Sequence, residues 1–151
     1  MNKVVSLAEA IRDHVPDGSS VALGCALEPA VPFSAVHELI RQGKRDLALI
    51  GPISDIAFDM LIGAGCVASV TAAWTGNVSA GLGHCYRRAM EHGVPRRIRV
   101  VDHSNFTIAQ ALLSGAPGGT KSAGEGKRVD LWGSGNLNNK HTGIRYYGHK
   151  R

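Results

Sequence analysis

Gly24-Cys25-Ala26-Leu27-Glu28-Pro29 follows a short apolar run, Ser20-Val21-Ala22-Leu23. A strand that ends in glycine, with a helix beyond it, can aim backbone N–H groups at an oxygen or a phosphate. The same glycine can also serve a tight turn, and the residues favour neither use over the other. Glu28 brings a carboxylate to this loop, able to act as a nucleophile or a base. A solvated loop charge is the commoner state of such a residue. Gly76-Asn77, after a second apolar run, offers a backbone donor and a side-chain amide to a ligand, or a turn in which Asn takes left-handed geometry. Gly81-Leu82-Gly83 opens a helix but lacks the third glycine and the later acidic ribose partner of a dinucleotide fingerprint. His84 and Cys85 with Arg87 and Arg88 are neighbours on a helix and point apart, which suits a solvated face better than a metal or phosphate site. Asp102-His103-Ser104 spells the letters of a catalytic triad, but consecutive residues cannot converge as a triad requires. His103 stays a candidate for its place at a strand end.

These residues need elements to position them. Ser6-Leu7-Ala8-Glu9 is a capping box opening a helix with Leu7, Ile11 and Val15 on one stripe. Pro16-Asp17-Gly18 ends it. Ser20–Leu23 reads as a short buried strand, and Pro32 opens a helix that Gly43 closes. Leu47-Ala48-Leu49-Ile50 is a second strand and Gly51-Pro52 a turn, after which Ser54 caps a helix carrying Ile56, Met60 and Leu61 and ending at Gly63-Ala64-Gly65. Val67 to Ala73 is a third strand, left by Trp74-Thr75-Gly76-Asn77, with a helix from Gly83 to His92 behind it. Ile98-Arg99-Val100-Val101 is a fourth strand, and Asn105 caps a helix through Leu113. Strands alternating with helices of about ten residues are the mark of βαβ units. The sequence therefore predicts an α/β domain: an open, mostly parallel sheet with helices on both faces, a Rossmann-like three-layer arrangement. In such sheets ligands bind outside the carboxyl ends of the strands, which selects the loops 24–31, 51–54, 74–83 and 102–105.

Charge divides the chain. Residues 1 to 115 hold ten Lys and Arg against ten Asp and Glu, whereas 116 to 151 hold seven against two. All of the net charge of +5 thus lies in the last segment. A neutral domain lacks the basic face that nucleic acid binding needs. No apolar run approaches the roughly 20 residues of a membrane span, and the first residues lack the h-region of a signal peptide. Cys25, Cys66 and Cys85 are an odd number at wide spacing, neither a disulfide framework nor a zinc pattern, as expected of reduced thiols in the cytoplasm. The expected organisation is a domain over 1–115 and a basic, Gly-rich tail over 116–151, with eight glycines and no hydrophobic period, that is disordered or non-native.

Ser6-Leu7-Ala8-Glu9-Ala10, then Asp17-Gly18-Ser19-Ser20-Val21-Ala22-Leu23-Gly24, then residues Ile40 to Ile50, resembles the A (alpha) subunit of family I coenzyme A-transferases. The glutaconate-transferase-like branch is the nearest in pattern; it also includes subunits of a ring-opening acyl-CoA hydrolase. The resemblance continues through Ala64-Gly65-Cys66-Val67, Gly76-Asn77 and Asp102-His103-Ser104-Asn105-Phe106, over about 110 residues. It implies a CoA-transferase-like fold and a cytoplasmic heteromer of A and B subunits. It also implies a ping-pong reaction in which a glutamate attacks an acyl-CoA thioester, and coenzyme A passes through a glutamyl-CoA thioester to a carboxylic acid. That glutamate normally belongs to the B subunit, so Glu28 does not inherit its role and no catalytic residue is assigned to this chain. Gly24, Cys25 and Ala26 are implied to wall the thioester and oxyanion region, with Glu28, Gly76, Asn77 and His103 as further substrate or CoA contacts. No metal and no permanently bound cofactor are expected, coenzyme A being a substrate.

The pattern departs from the family in three places. Cys25 stands where a second glycine is usual, and Asp102-His103 where the hydrolase-like branch often has an acidic residue and an aromatic. The family's A chains also continue well beyond Gly115, so the domain reads as incomplete, the chain being truncated or frameshifted there. Two further expectations stand beside CoA transfer: part of an acyl-CoA hydrolase, and an inactive truncated remnant.

Overall fold

The computed structural model describes residues 4–24 and 30–115. The expected disordered or non-native tail, 116–151, lies outside the described residues. One compact unit runs to Gln110; of a second, beginning at Ala111, only the end of a helix is described.

Among the described residues the helices and strands are, in order, α1 (Leu7–His14), β1 (Ser20–Ala22), α2 (Phe33–Arg41), β2 (Leu47–Ser54), α3 (Ile56–Gly63), β3 (Val67–Thr75), α4 (His84–His92), β4 (Arg99–Asp102) and α5 (Asn105–Gly115). The four strands pair in sequence order, β1-β2-β3-β4, and every pair is parallel. The α/β alternation read from the sequence therefore holds. Helices sit in the crossovers because parallel neighbours cannot be joined by a tight hairpin.

Register shows which side chains share a face. Val21 aligns with Leu49, Leu49 with Val70, and Val70 with Val100, one apolar row across all four strands. Leu49 and Val70 are fully buried in a cluster with Val36 and Leu39 of α2, Phe58, Leu61 and Ile62 of α3, and Ala89 of α4. The alternate row, Ala22, Ile50, Thr71 and Val101, points to the other side, as the period of two demands. Toward the carboxyl ends the core-side row continues as Gly51 beside Ala72, then Ile53 beside Trp74. A Cβ on Gly51 would stand 3.2 Å from Phe58 Cζ, so the ring of α3 closes over β2 at this point.

The ends of the elements hold agreements and corrections. The capping box of α1 is present: Ser6 N donates to Glu9 Oε2 at 2.9 Å, and Glu9 N donates to Ser6 Oγ at 3.3 Å. The Ser6 hydroxyl holds the Glu9 carboxyl below its ordinary value. Gly51-Pro52 is not a turn, since β2 continues through both to Ser54. Past Ile50, β1 has ended and β2 pairs on one side only, where a proline without an N–H is tolerated. Asp55, not Ser54, caps α3, its carboxylate accepting from Ile56 N. Ser104, not Asn105, caps α5: its Oγ accepts from Thr107 N at 3.1 Å, and its own N donates to Thr107 Oγ1 at 2.9 Å.

Cys66 is buried and Cys85 half-buried, both as free thiols. Burial pushes the Cys66 thiol above its ordinary value of 9.0. Its stabilising contribution is thus fully present below pH 9.0 and lost as pH rises through the higher folded value. Alkylation mapped by peptide mass spectrometry is expected to modify Cys85 well before Cys66 in the folded chain at neutral pH, because the thiolate is the reacting form. Equal rates would show that the Cys66 site is open.

Candidate functional site

Parallel pairing brings the ends of four strands to one edge. Gly24 follows β1, Ser54 and Asp55 close β2, Gly76 and Asn77 follow β3, and His103 follows β4. Of the residues singled out in the sequence, Cys25, Ala26 and Glu28 lie outside the described residues. Gly24 has no positive φ, and a Cβ added there meets no described atom within 4 Å. Neither strain nor crowding among the described residues makes glycine necessary at this position.

The stretch 76–83 is a clasped loop. Asn77 O accepts from Ala80 N at 3.1 Å and from Gly81 N at 2.5 Å, and Asn77 Nδ2 donates to Leu82 O at 3.0 Å. The left-handed residue is Gly81, at φ 81°, not Asn77. Gly76 is required by close approach, since a Cβ there would lie 2.5 Å from the Trp74 ring and 3.1 Å from Gly81 O. Gly83 is crowded in the same way, 3.1 Å from Asp59 Oδ1 and 3.3 Å from Gly76 Cα. The Gly81-Leu82-Gly83 sequence thus serves packing at a helix start.

Two carboxylates not singled out in the sequence secure this region, one bonded to the loop and the other to the first turn of α4. Asp55 Oδ1 accepts from Val78 N at 3.2 Å as well as from Ile56 N at 2.8 Å. Asp59 Oδ1 accepts from Tyr86 N at 2.8 Å, giving α4 the cap that Gly83 cannot supply. Both aspartates are buried, 1% and 6% exposed. Their signal was legible: two acids four residues apart in the otherwise apolar stretch Asp55-Ile56-Ala57-Phe58-Asp59. Carboxylates buried in such a helix need partners.

Between the loop and the ends of β2 and β3 lies an open hollow of about 460 Å³, lined by Ile53, Trp74, Asn77, Val78, Gly81 and Asn105. Of the expected contacts, Asn77 is in its wall. His103 is not; its N donates to Ala72 O at 3.0 Å and its Nδ1 lies 3.2 Å from Thr107 Oγ1. Ser104 is engaged in capping, and nothing joins Asp102, His103 and Ser104 as a triad. Arg87 pairs with Glu91 at 2.7 Å, and Arg88 reaches Cys85 Sγ at 3.4 Å. Among the described residues no cluster of three or more His, Cys, Asp or Glu could hold a metal, and no helix is long and apolar enough to cross a membrane.

No family model matches the chain. It is 40% identical over 118 residues to the A (alpha) subunit of the 3-oxoadipate CoA-transferase of Pseudomonas knackmussii, a match covering 78% of this chain and 42% of that one. It is 33% identical over 108 residues to the A (alpha) subunit of the glutaconate CoA-transferase of Acidaminococcus fermentans, covering 72% of this chain and 33% of the relative. Among solved structures, glutaconate coenzyme A-transferase from Acidaminococcus fermentans matches with a TM-score of 0.66 at 32% identity, over 74% of this chain and 36% of that one. The decarboxylase AibA/AibB, in a cysteine-to-serine variant, matches with a TM-score of 0.65 at 33% identity, over 73% and 42%. The chain spans less than half the length of these curated relatives. Over the matched residues it is a homologue of the A (alpha) subunits of coenzyme A-transferases and shares their parallel α/β fold.

Proposed function

We propose that this chain is the alpha-subunit part of a cytoplasmic CoA-transferase, moving coenzyme A between an acyl-CoA and a carboxylic acid with a B subunit. The observation that carries this is the 40% identity to the alpha subunit of a 3-oxoadipate CoA-transferase. The convergence of four strand ends on one edge supports it, since ligands bind at that edge in parallel sheets. In this reading a B-subunit glutamate attacks the thioester carbonyl and expels the CoA thiolate, which returns to the resulting anhydride to give glutamyl-CoA and free acid. The acceptor carboxylate then attacks glutamyl-CoA and expels the CoA thiolate, forming a second mixed anhydride; the thiolate returns to the acceptor's carbonyl carbon, giving the new acyl-CoA and freeing the glutamate. Gly24, Cys25 and Ala26 wall the thioester from this chain's side, Gly76 and Asn77 hold the clasped loop against the substrate, and Glu28 and His103 flank it. Coenzyme A is a substrate in this scheme, not a resident group.

On its own this chain lacks the nucleophile, so the test is reconstitution with the B subunit of the 3-oxoadipate relative. Incubation with an acyl-CoA followed by mass spectrometry is expected to show CoA covalently held on a B-subunit glutamate, and exchange into added carboxylate. A second reading follows from the decarboxylase among the structural matches, because one fold hosts more than one reaction. Release of carbon dioxide without any CoA adduct would favour it over transfer.

A further inference from the structure

Charge is unevenly divided between the two edges of the sheet. The stretches at the carboxyl ends of the strands, 24–31, 51–54, 74–83 and 102–105, contain no Lys or Arg, and they include Glu28 and Asp102. Lys44, Arg45, Arg96 and Arg97 come just before β2 and β4, and Arg99 opens β4, so these cations belong to the opposite edge. On the helices, Arg12, Arg41 and Arg87 are paired with Asp13, Glu38 and Glu91. None of the residues that line the hollow is charged.

Helix N-termini are the other usual attraction for an anion. Those of α3 and α4 are already occupied by the chain's own acids. Asp55 Oδ1 accepts from Ile56 N and Val78 N, and Asp59 Oδ1 accepts from Tyr86 N. The first turn of α5 is closed by the reciprocal Ser104–Thr107 bonds. Beside the hollow, Ser54 Oγ, Asp55 Oδ2 and Asn77 Oδ1 are sealed from solvent and have no partner among the described residues. A carboxylate entering there gives up its water, meets no cation and faces a buried aspartate. A hydrocarbon group meets no such cost and gains by covering Ile53, Trp74 and Val78.

We propose that this chain selects an acyl group whose far end is uncharged, and that Asp55 is a specificity-determining residue that turns away an acyl group ending in a second carboxylate. This rests on the CoA-transfer reading and names its substrate class, a monocarboxylic acid with a hydrocarbon tail and its thioester. That class differs from the dicarboxylates after which the two transferase relatives are named.

The hexanoyl and adipoyl thioesters of N-acetylcysteamine share one head and an acyl chain of equal length, and differ in the terminal carboxylate. Trp74 lines the hollow and is 41% exposed, so it can report occupancy. The chain has two tryptophans, Trp74 and Trp132, so the full chain carrying Trp132→Phe reads Trp74 alone. The hexanoyl thioester is expected to change Trp74 emission saturably and to bind about tenfold more tightly than the adipoyl thioester. Asp55→Asn keeps the oxygen that accepts from Ile56 and Val78 but removes the charge, and is expected to raise adipoyl affinity several-fold relative to hexanoyl. Val78→Lys places a cation at a 44% exposed position of the wall and is expected to reverse the preference. A purely structural role for either residue would weaken both thioesters alike and leave their ratio unmoved. Equal or tighter adipoyl binding by the parent, a Trp74 silent to both thioesters, or an unchanged ratio in either variant overturns the proposal. Covalent CoA transfer in the reconstituted complex, together with equal binding of the two thioesters, would remove the selection and keep the reaction. A selective Trp74 response with no CoA adduct in the complex would remove the reaction and keep the selection.

Discussion

Phe58→Ala is expected to lower the unfolding free energy by about 3–5 kcal/mol, the usual cost of emptying a buried aromatic site. Phe58 is fully buried, joins α3 to the apolar row of the sheet, and closes over the backbone of Gly51. A glycine below it cannot grow to fill the gap, so the cavity has little means of collapse. Domains of this kind hold only about 5–15 kcal/mol in reserve. Urea titration followed by circular dichroism should therefore show a much earlier midpoint with an unchanged slope. A loss under about 1 kcal/mol would mean that α3 does not pack on β2 as described. The consequence reaches the site, because Ile53 and Ser54 lie just past Gly51 on the same strand.

Asp55 gives the second large effect, and the nature of the replacement decides it. Asp55→Ala removes the α3 cap and the bond to Val78 N together. A cap is worth about 0.5–2 kcal/mol and a charged hydrogen bond about 1.5–3. Against these stands relief of the buried Oδ2, which has no partner among the described residues. The net loss expected is about 1–3 kcal/mol, with the loop 76–83 opening to proteolysis before the rest of the unit. Asp55→Asn keeps the accepting oxygen and takes a buried charge out of the interior, so its cost is expected to stay below about 1 kcal/mol. Equal losses for the two variants would show that charge, and not the accepting oxygen, secures the loop.

Much of the frame was legible because it depends on local chemistry. The Ser6–Glu9 box and the alternation of short apolar runs with helical stripes answer to neighbours in the chain. Gly51-Pro52 misled because a proline reads as a turn wherever strand pairing is unknown; only the early end of β1 makes it acceptable in β2. Ser54 and Asn105 were plausible caps by type, yet Asp55 and Ser104 hold the capping geometry, a difference of one residue that the periodicity cannot resolve.

The site divides along the same line. Gly76 and Asn77 could be singled out from their place after a strand, and the Gly24 loop from its glycine and position. The reason for Gly76 is tertiary: the Trp74 ring and the Gly81 carbonyl fold back against it. Asp55 and Asp59 acquire their part only when α3 lies beneath the loop that follows β3. The sequence by itself determined the α/β alternation, the neutral charge of residues 1–115, the basic excess of 116–151 and the likeness to the alpha chains of CoA-transferases, since these reside in residue type and spacing. Only the tertiary structure decided that Ile53, Trp74, Asn77, Val78 and Asn105 share one hollow, and that three oxygens beside it lack donors among the described residues. Parallel pairing joins residues some fifty positions apart at one edge, and hydrogen-bond satisfaction is a property of what surrounds an atom in space, which no local pattern records.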